Sequence, residues 1–152
     1  MQPGFGDRGT AARFFQQFPG EDGPPFLYTA KAARSQREAG LLGHLPCAVC
    51  GGVDSETHEV NGRTAKCFRN SHPTCKPVAL MRWLVRITKT PKGGVVLDPF
   101  LGSGTTAVAC IEEGRPFIGV DFTPEYCEIA RLRVAEARRI QACRTEETRT
   151  GW

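Results

Sequence analysis

Two carboxylates each stand at the end of a short apolar run: Asp98 after Val95-Val96-Leu97, and Asp121 after Phe117-Ile118-Gly119-Val120. Between them lies Asp98-Pro99-Phe100-Leu101-Gly102-Ser103-Gly104-Thr105-Thr106, a glycine turn that opens into the helical pattern Ala107-Val108-Ala109-Cys110-Ile111. A strand ending in an acid, a glycine turn and a helix start together form the arrangement by which α/β proteins hold a nucleoside. Gly102 and Gly104 let the backbone bend sharply and approach a ligand with no Cβ in the way. Asp121 falls about 20 residues beyond the turn, where a carboxylate binds the paired hydroxyls of a ribose. Thr105 and Thr106 are placed to satisfy free N–H groups at the helix start.

A second set of reactive side chains lies upstream. Cys47-Ala48-Val49-Cys50-Gly51-Gly52 is a zinc-knuckle pattern, in which two thiolates across a glycine turn bind one tetrahedral metal. Cys67 follows after a polar stretch that can fold as a hairpin around Asn61-Gly62. Three sulfurs are then available, and the fourth ligand stays open. His58 is the free candidate; His72 has a suitable spacing from Cys67 but belongs to another motif. A regular zinc ribbon would carry a second Cys-x-x-Cys, which this chain lacks, so a flexible insertion with free thiols is the competing reading.

The elements that position these groups are legible from Pro77 onward. The pattern predicts a helix to about Thr88, a strand over Val95–Asp98, a helix over Thr105–Glu113, a strand over Phe117–Asp121 and a helix over Pro124–Arg139. Gly114 marks the end of the second of these helices. In His72-Pro73-Thr74-Cys75-Lys76-Pro77, Thr74 is a candidate N-cap, and a first-turn proline costs no helical hydrogen bond. Strands alternating with helices imply a parallel sheet. Upstream, residues 1–25 read as irregular, with an aromatic cluster at Phe14, Phe15 and Phe18. Phe26-Leu27-Tyr28 reads as a short strand, Lys31–Ala39 as a polar helical turn ended by Gly40, and the tail from Thr145 as frayed.

In the order and identity of its motifs, the chain resembles the amino-methyltransferases of DNA, which methylate adenine N6 or cytosine N4 with S-adenosylmethionine. HPTxKP is present as His72–Pro77 and DPFxGSGTT as Asp98–Thr106. The strand ending in Asp121 and the helix start Thr123-Pro124-Glu125-Tyr126 follow. The resemblance covers roughly Pro24 to Ala137 and is of the phage and bacterial type, as in restriction-modification systems. It implies an incomplete α/β, Rossmann-like parallel sheet of the S-adenosylmethionine-dependent methyltransferase type. It also places Asp98, Pro99, Phe100, Gly102, Ser103, Gly104, Thr105 and Asp121 around the cofactor, with Thr74 and Lys76 near its methionine end. There a cation and a hydroxyl suit a carboxylate. Cys75 occupies a variable position of its motif.

The same resemblance makes one absence consequential. These enzymes use an Asp/Asn/Ser-Pro-Pro-aromatic loop to accept hydrogen bonds from the target amine and to stack on the flipped base. The Pro-Pro pair here is Gly23-Pro24-Pro25-Phe26, with glycine where the polar acceptor belongs. In the β-class motif order, the catalytic loop and target-recognition region precede HPTxKP, so this chain looks like the C-terminal half. The expectation is a cofactor-binding part with no catalytic residue of its own, acting on DNA with an upstream N-terminal half. A non-catalytic S-adenosylmethionine- or DNA-binding remnant and a zinc-stabilised interaction module are the alternatives. The expected segments are 1–25, 26–46, a Cys-rich insertion at 47–71, the cofactor-binding region at 72–144, and a tail at 145–152.

Composition sets outer bounds. The 152 residues suffice for one compact domain, with 40% apolar residues. No apolar run approaches the roughly 20 residues of a membrane span, and Met1 to Thr10 carry no signal-peptide core. A cytoplasmic location follows as an expectation. Seven cysteines without secretory context argue against a disulfide framework. The net charge of +4 is compatible with a DNA partner, and Arg131, Arg133, Arg138 and Arg139 read as a solvated helix face.

Overall fold

The computed structural model describes residues 30–150. In chain order the elements are α1 (Arg34–Glu38), β1 (Thr57–Val60), β2 (Arg63–Lys66), α2 (Val78–Ile87), β3 (Val96–Asp98), α3 (Thr105–Glu112), β4 (Phe117–Gly119) and α4 (Pro124–Thr150). The aromatic cluster at Phe14–Phe18, the expected strand at Phe26–Tyr28 and the Pro24-Pro25 pair lie outside the described residues. Among those described, no helix is long and apolar enough to cross a membrane.

β3 and β4 pair in parallel, with Val96 opposite Phe117, Leu97 opposite Ile118 and Asp98 opposite Gly119. With α3 as the connection, this is one βαβ unit, the building block of a Rossmann-like sheet. α3 is buried almost all round, at Thr105, Ala107, Val108, Ala109, Cys110 and Ile111, as its unbroken run of small and apolar residues requires. It packs against both α2 and α4. Val85 of α2 meets Ala109 and Cys110 in the core, with Met81, Val96 and Phe117 against them.

Side chains alternate across the two strands. Val96 and Phe117 face the helices, while Leu97 and Ile118 stand side by side on the other face, 65% and 56% exposed. Val95 and Val120 continue that exposed face.

Ion pairs and a capping arginine tie α2 to the unit. Glu113 receives Arg82 and Arg86, each at 2.6 Å, and both arginines hold its carboxyl below the ordinary range, Arg86 most strongly. Arg115 is buried and donates to the Val85 carbonyl and the Thr88 hydroxyl, satisfying the end of α2.

Two helix boundaries differ from the sequence expectations, and the hairpin matches them. α2 starts at Val78 with Pro77 as its N-cap residue, so Thr74 is not the cap. Pro77 is held in extended backbone, and the chain turns helical four residues after Thr74, at Val78. α4 runs to Thr150 and not to Arg139, because Ile140 to Thr150 contain neither glycine nor proline to stop it; the tail from Thr145 is helical accordingly. The hairpin expected around Asn61-Gly62 forms from β1 and β2, and both turn residues have positive φ, 52° and 71°. That is the type I′ geometry favoured by Asn-Gly.

Ala109 is fully buried between Val85 and Cys110. Replacing it with leucine should cost about 1–3 kcal/mol through overpacking, read as a lower urea midpoint at unchanged m-value.

Candidate functional site

Both strand-end acids turn inward onto the glycine turn. Asp98 accepts the Phe100 N–H at 3.1 Å on one oxygen and the Thr106 hydroxyl at 2.6 Å on the other. Asp121 accepts the Gly102 N–H at 2.7 Å and the Thr123 N–H at 2.9 Å, bridging the turn to the start of α4. These donors favour the charged form, Thr123 first and Gly102 next, so the Asp121 carboxyl lies below its ordinary value of 3.8.

The turn itself needs glycine at two positions. Gly102 and Gly104 have φ of 54° and 80°, which side chains rarely adopt. A Cβ on Gly102 would lie 2.6 Å from His72 Nε2, and one on Gly104 would lie 2.9 Å from Ala130 Cα. His72 is therefore seated directly on the turn. Its ring meets Tyr126 edge-on, with centroids 4.5 Å apart, and its Nδ1 accepts the Thr74 N–H at 3.2 Å. The histidine thus anchors the segment that carries Thr74 and Lys76, whose side chains are exposed. Cys75 closes the same junction, its Sγ 3.5 Å from Thr105 Oγ1.

Arg133 holds the turn from behind, which the sequence pattern did not reveal. It is 2% exposed and donates through one nitrogen to the Ser103 carbonyl, the Ser103 hydroxyl and the Thr105 hydroxyl. Its other terminal nitrogen reaches the Gln36 carbonyl at 3.0 Å. Burial pushes its guanidinium pKa down. Arg131, Arg138 and Arg139 lie on the solvated face as expected, but Arg133 does not. Its charge alone gave no signal, since only packing shows which arginine of a helix points inward.

Thr105 and Thr106 do not cap α3. The N-cap residue is Gly104, with no side-chain cap, and the two hydroxyls go to Arg133 and Asp98 instead. Ser103 and Thr105 are buried among these partners. Phe100 and Phe122 follow the carboxyl ends of the neighbouring strands and are 81% and 91% exposed. A cavity of about 640 Å³ is lined by Val78, Glu112, Arg133 and Gln141 among others, and by neither strand-end acid. It belongs to the helical side of the turn.

The upstream set also comes together. Ligand atoms of Cys47, Cys50, His58 and Cys67 all lie within 4.8 Å of one another. His72 is engaged at the glycine turn, and His58 is the histidine that joins the sulfurs. Burial raises the Cys47 thiol, but backbone hydrogen bonds from Cys50, Val49 and Phe68 outweigh it and bring the thiol down to about 6. Cys67 is pushed up to about 12 by burial, then by Cys47 and Cys50.

Comparison with known proteins adds an independent view. A protein family described as DNA methylase (N6_N4_Mtase) matches residues 49–132. The chain is 48% identical over 67 residues to the type II methyltransferase M2.DpnII of Streptococcus pneumoniae, covering 44% of this chain and 25% of that protein. It is 40% identical over 72 residues to the DNA adenine methyltransferase YhdJ of Escherichia coli K12, covering 47% and 24%. The chain thus spans about a quarter of the length of these curated relatives. Among solved structures, the complex of M1.HpyAVI with SAM aligns at 33% identity and a TM-score of 0.40, covering 51% of this chain and 43% of that one.

Two outcomes follow from the geometry. Gly104→Ala should destabilise the protein by more than about 1 kcal/mol, since a left-handed backbone and a contact with Ala130 both oppose the methyl group; chemical denaturation measures it. Asp121 has a folded pKa below its unfolded one, so its contribution is complete above the unfolded value and is lost as pH falls through the folded value. In Asp121→Asn, the acid limb of melting temperature against pH should therefore flatten. An unchanged limb would show that the carboxylate is not held as described.

Proposed function

Because the chain belongs to the DNA methylase family matched over residues 49–132, we propose that it forms the S-adenosylmethionine-binding part of a DNA amino-methyltransferase. The observation that carries this reading is the glycine turn at the carboxyl ends of two parallel strands, held by a carboxylate from each. Ligands of open α/β sheets bind at that end. The names of the relatives, type II methyltransferases and a DNA adenine methyltransferase, support the reaction class.

Each residue has a defined task in this reading. Asp121 spends one lone pair per oxygen on the backbone and keeps others for the ribose hydroxyls. Asp98 and the Phe100–Gly104 backbone wall the ribose and methionine part. Phe100 and Phe122 offer exposed rings against which an adenine can stack. Thr74 and Lys76, carried beside the turn by His72, take the methionine carboxylate. Held by these residues, S-adenosylmethionine would supply the methyl group for an exocyclic amine of adenine or cytosine.

Base recognition and the amine-orienting loop come, in this reading, from a complementary methylase segment. The apolar face of Leu97, Ile118, Val95 and Val120 supports this assignment. The strands of parallel sheets are apolar on both faces because both are covered in the finished fold. Such a segment would pack its own elements on that face.

Calorimetric titration with S-adenosylmethionine should show binding by the chain. Tritiated methyl transfer to unmethylated DNA should appear only when the complementary segment is co-expressed. Transfer by this chain alone would overturn the divided site, and a folded chain with no cofactor affinity would overturn the whole reading. Phe122→Ala should weaken cofactor binding by about 0.5–1.5 kcal/mol with an unchanged melting temperature, because its ring is exposed.

A further inference from the structure

The cluster of Cys47, Cys50, His58 and Cys67 lies outside the glycine turn, and the proposed methyl transfer makes no use of it. We propose that these four residues bind one structural zinc ion. Tetrahedral zinc with sulfur at about 2.3 Å and nitrogen at about 2.0–2.1 Å sets ligand edges of about 3.8 Å for S–S and about 3.6 Å for S–N. The edges here are 3.6 Å for Cys50 Sγ to Cys67 Sγ, 3.7 Å for Cys47 Sγ to His58 Nδ1 and 3.3 Å for His58 Nδ1 to Cys67 Sγ. These three edges match a zinc-sized tetrahedron, and all four ligand atoms lie within 4.8 Å of one another. Soft thiolates with one imidazole in that geometry select zinc among the common divalent ions.

Three local features hold the corners in place. The knuckle is closed by Cys47 N–H to the Gly52 carbonyl at 3.0 Å and Gly51 N–H to the Cys47 carbonyl at 2.9 Å. The Val49 N–H points at Cys47 Sγ from 3.5 Å, the donor that a metal-bound thiolate accepts. The Asn61-Gly62 turn sets the register that brings His58 on β1 back beside Cys67, which follows β2. Ala48 N–H to the Phe68 carbonyl, at 2.9 Å, then joins the knuckle to the far end of the hairpin.

All four positions are filled by protein side chains, so the site is structural and leaves no coordination position for a substrate. What it braces is visible next to it. Arg69 is buried and donates to the carbonyls of Leu45, Gly52, Val53 and Ser55, gathering the loop that carries both knuckle cysteines. Asn70, also buried, receives the His72 N–H on its side-chain oxygen. The metal loop and the histidine seated on the glycine turn are therefore joined through consecutive residues.

The test is metal analysis of the 152-residue chain purified without added metal or chelator. About one zinc per chain is expected. Cys50→Ser and His58→Ala should each weaken zinc binding by at least about tenfold, the scale that even outer-shell changes reach. Cys143→Ser, outside the cluster, should leave it unchanged. Cobalt substitution should give the visible bands and sulfur-to-metal charge transfer of a tetrahedral thiolate site, and both should be lost in Cys50→Ser. Substoichiometric zinc that reconstitution does not restore, iron or copper in its place, or a Cys50–Cys67 disulfide found by thiol titration would each overturn the proposal. None of these readouts depends on S-adenosylmethionine, so failure here leaves the methyltransferase reading untouched.

Discussion

Gly102 gives its N–H to a carboxylate just beyond the neighbouring strand, and the geometry around the turn depends on that 2.7 Å bond to Asp121. A turn between a strand and a helix is ordinarily shaped by its own residues. Here Asp98 shapes it from the preceding strand, Asp121 from just beyond the next one, and Arg133 from the last helix. Two anions in front and one buried cation behind fix a loop that would otherwise hold several backbone conformations. Each acid also satisfies N–H groups that would be left without partners at a helix start or in a tight turn. The same bonds that stiffen the loop therefore hold its backbone at the carboxyl ends of the strands.

Stiffness on one side of the sheet contrasts with exposure on the other. α3 is enclosed by α2, α4 and the two strands, while the row of Val95, Leu97, Ile118 and Val120 remains open. Among the described residues the parallel pair has two strands and one exposed apolar face, whereas burial on both faces is what stabilises parallel sheets. The relatives, about four times longer than their matched part, show how much chain accompanies this segment elsewhere in the family.

The hairpin and knuckle form a second centre of order with little apolar burial of its own. Its organisers are polar: Arg69 on four loop carbonyls, Glu38 on the N–H groups of Arg69 and Asn70, and Asn70 on the Arg37 carbonyl. A loop so poor in core contacts gains most from a cross-link, because there is little hydrophobic burial to offset its chain entropy.

What the sequence determined by itself was everything set by near neighbours. The glycine turn, the Asn-Gly hairpin, the βαβ order and the starts of α3 and α4 are properties of runs a few residues long. Backbone sterics, side-chain period and turn chemistry act over that range. The family was legible for the same reason, since the motifs are contiguous. What only the tertiary structure decided was which partner each polar side chain takes. Thr106 abandons the helix start for Asp98, and His58 rather than His72 joins the sulfurs. Arg133 leaves a face it shares in sequence with solvated arginines and reaches Gln36, 97 residues away. Such choices depend on the relative placement of distant elements, and a buried charge must find every partner that placement offers.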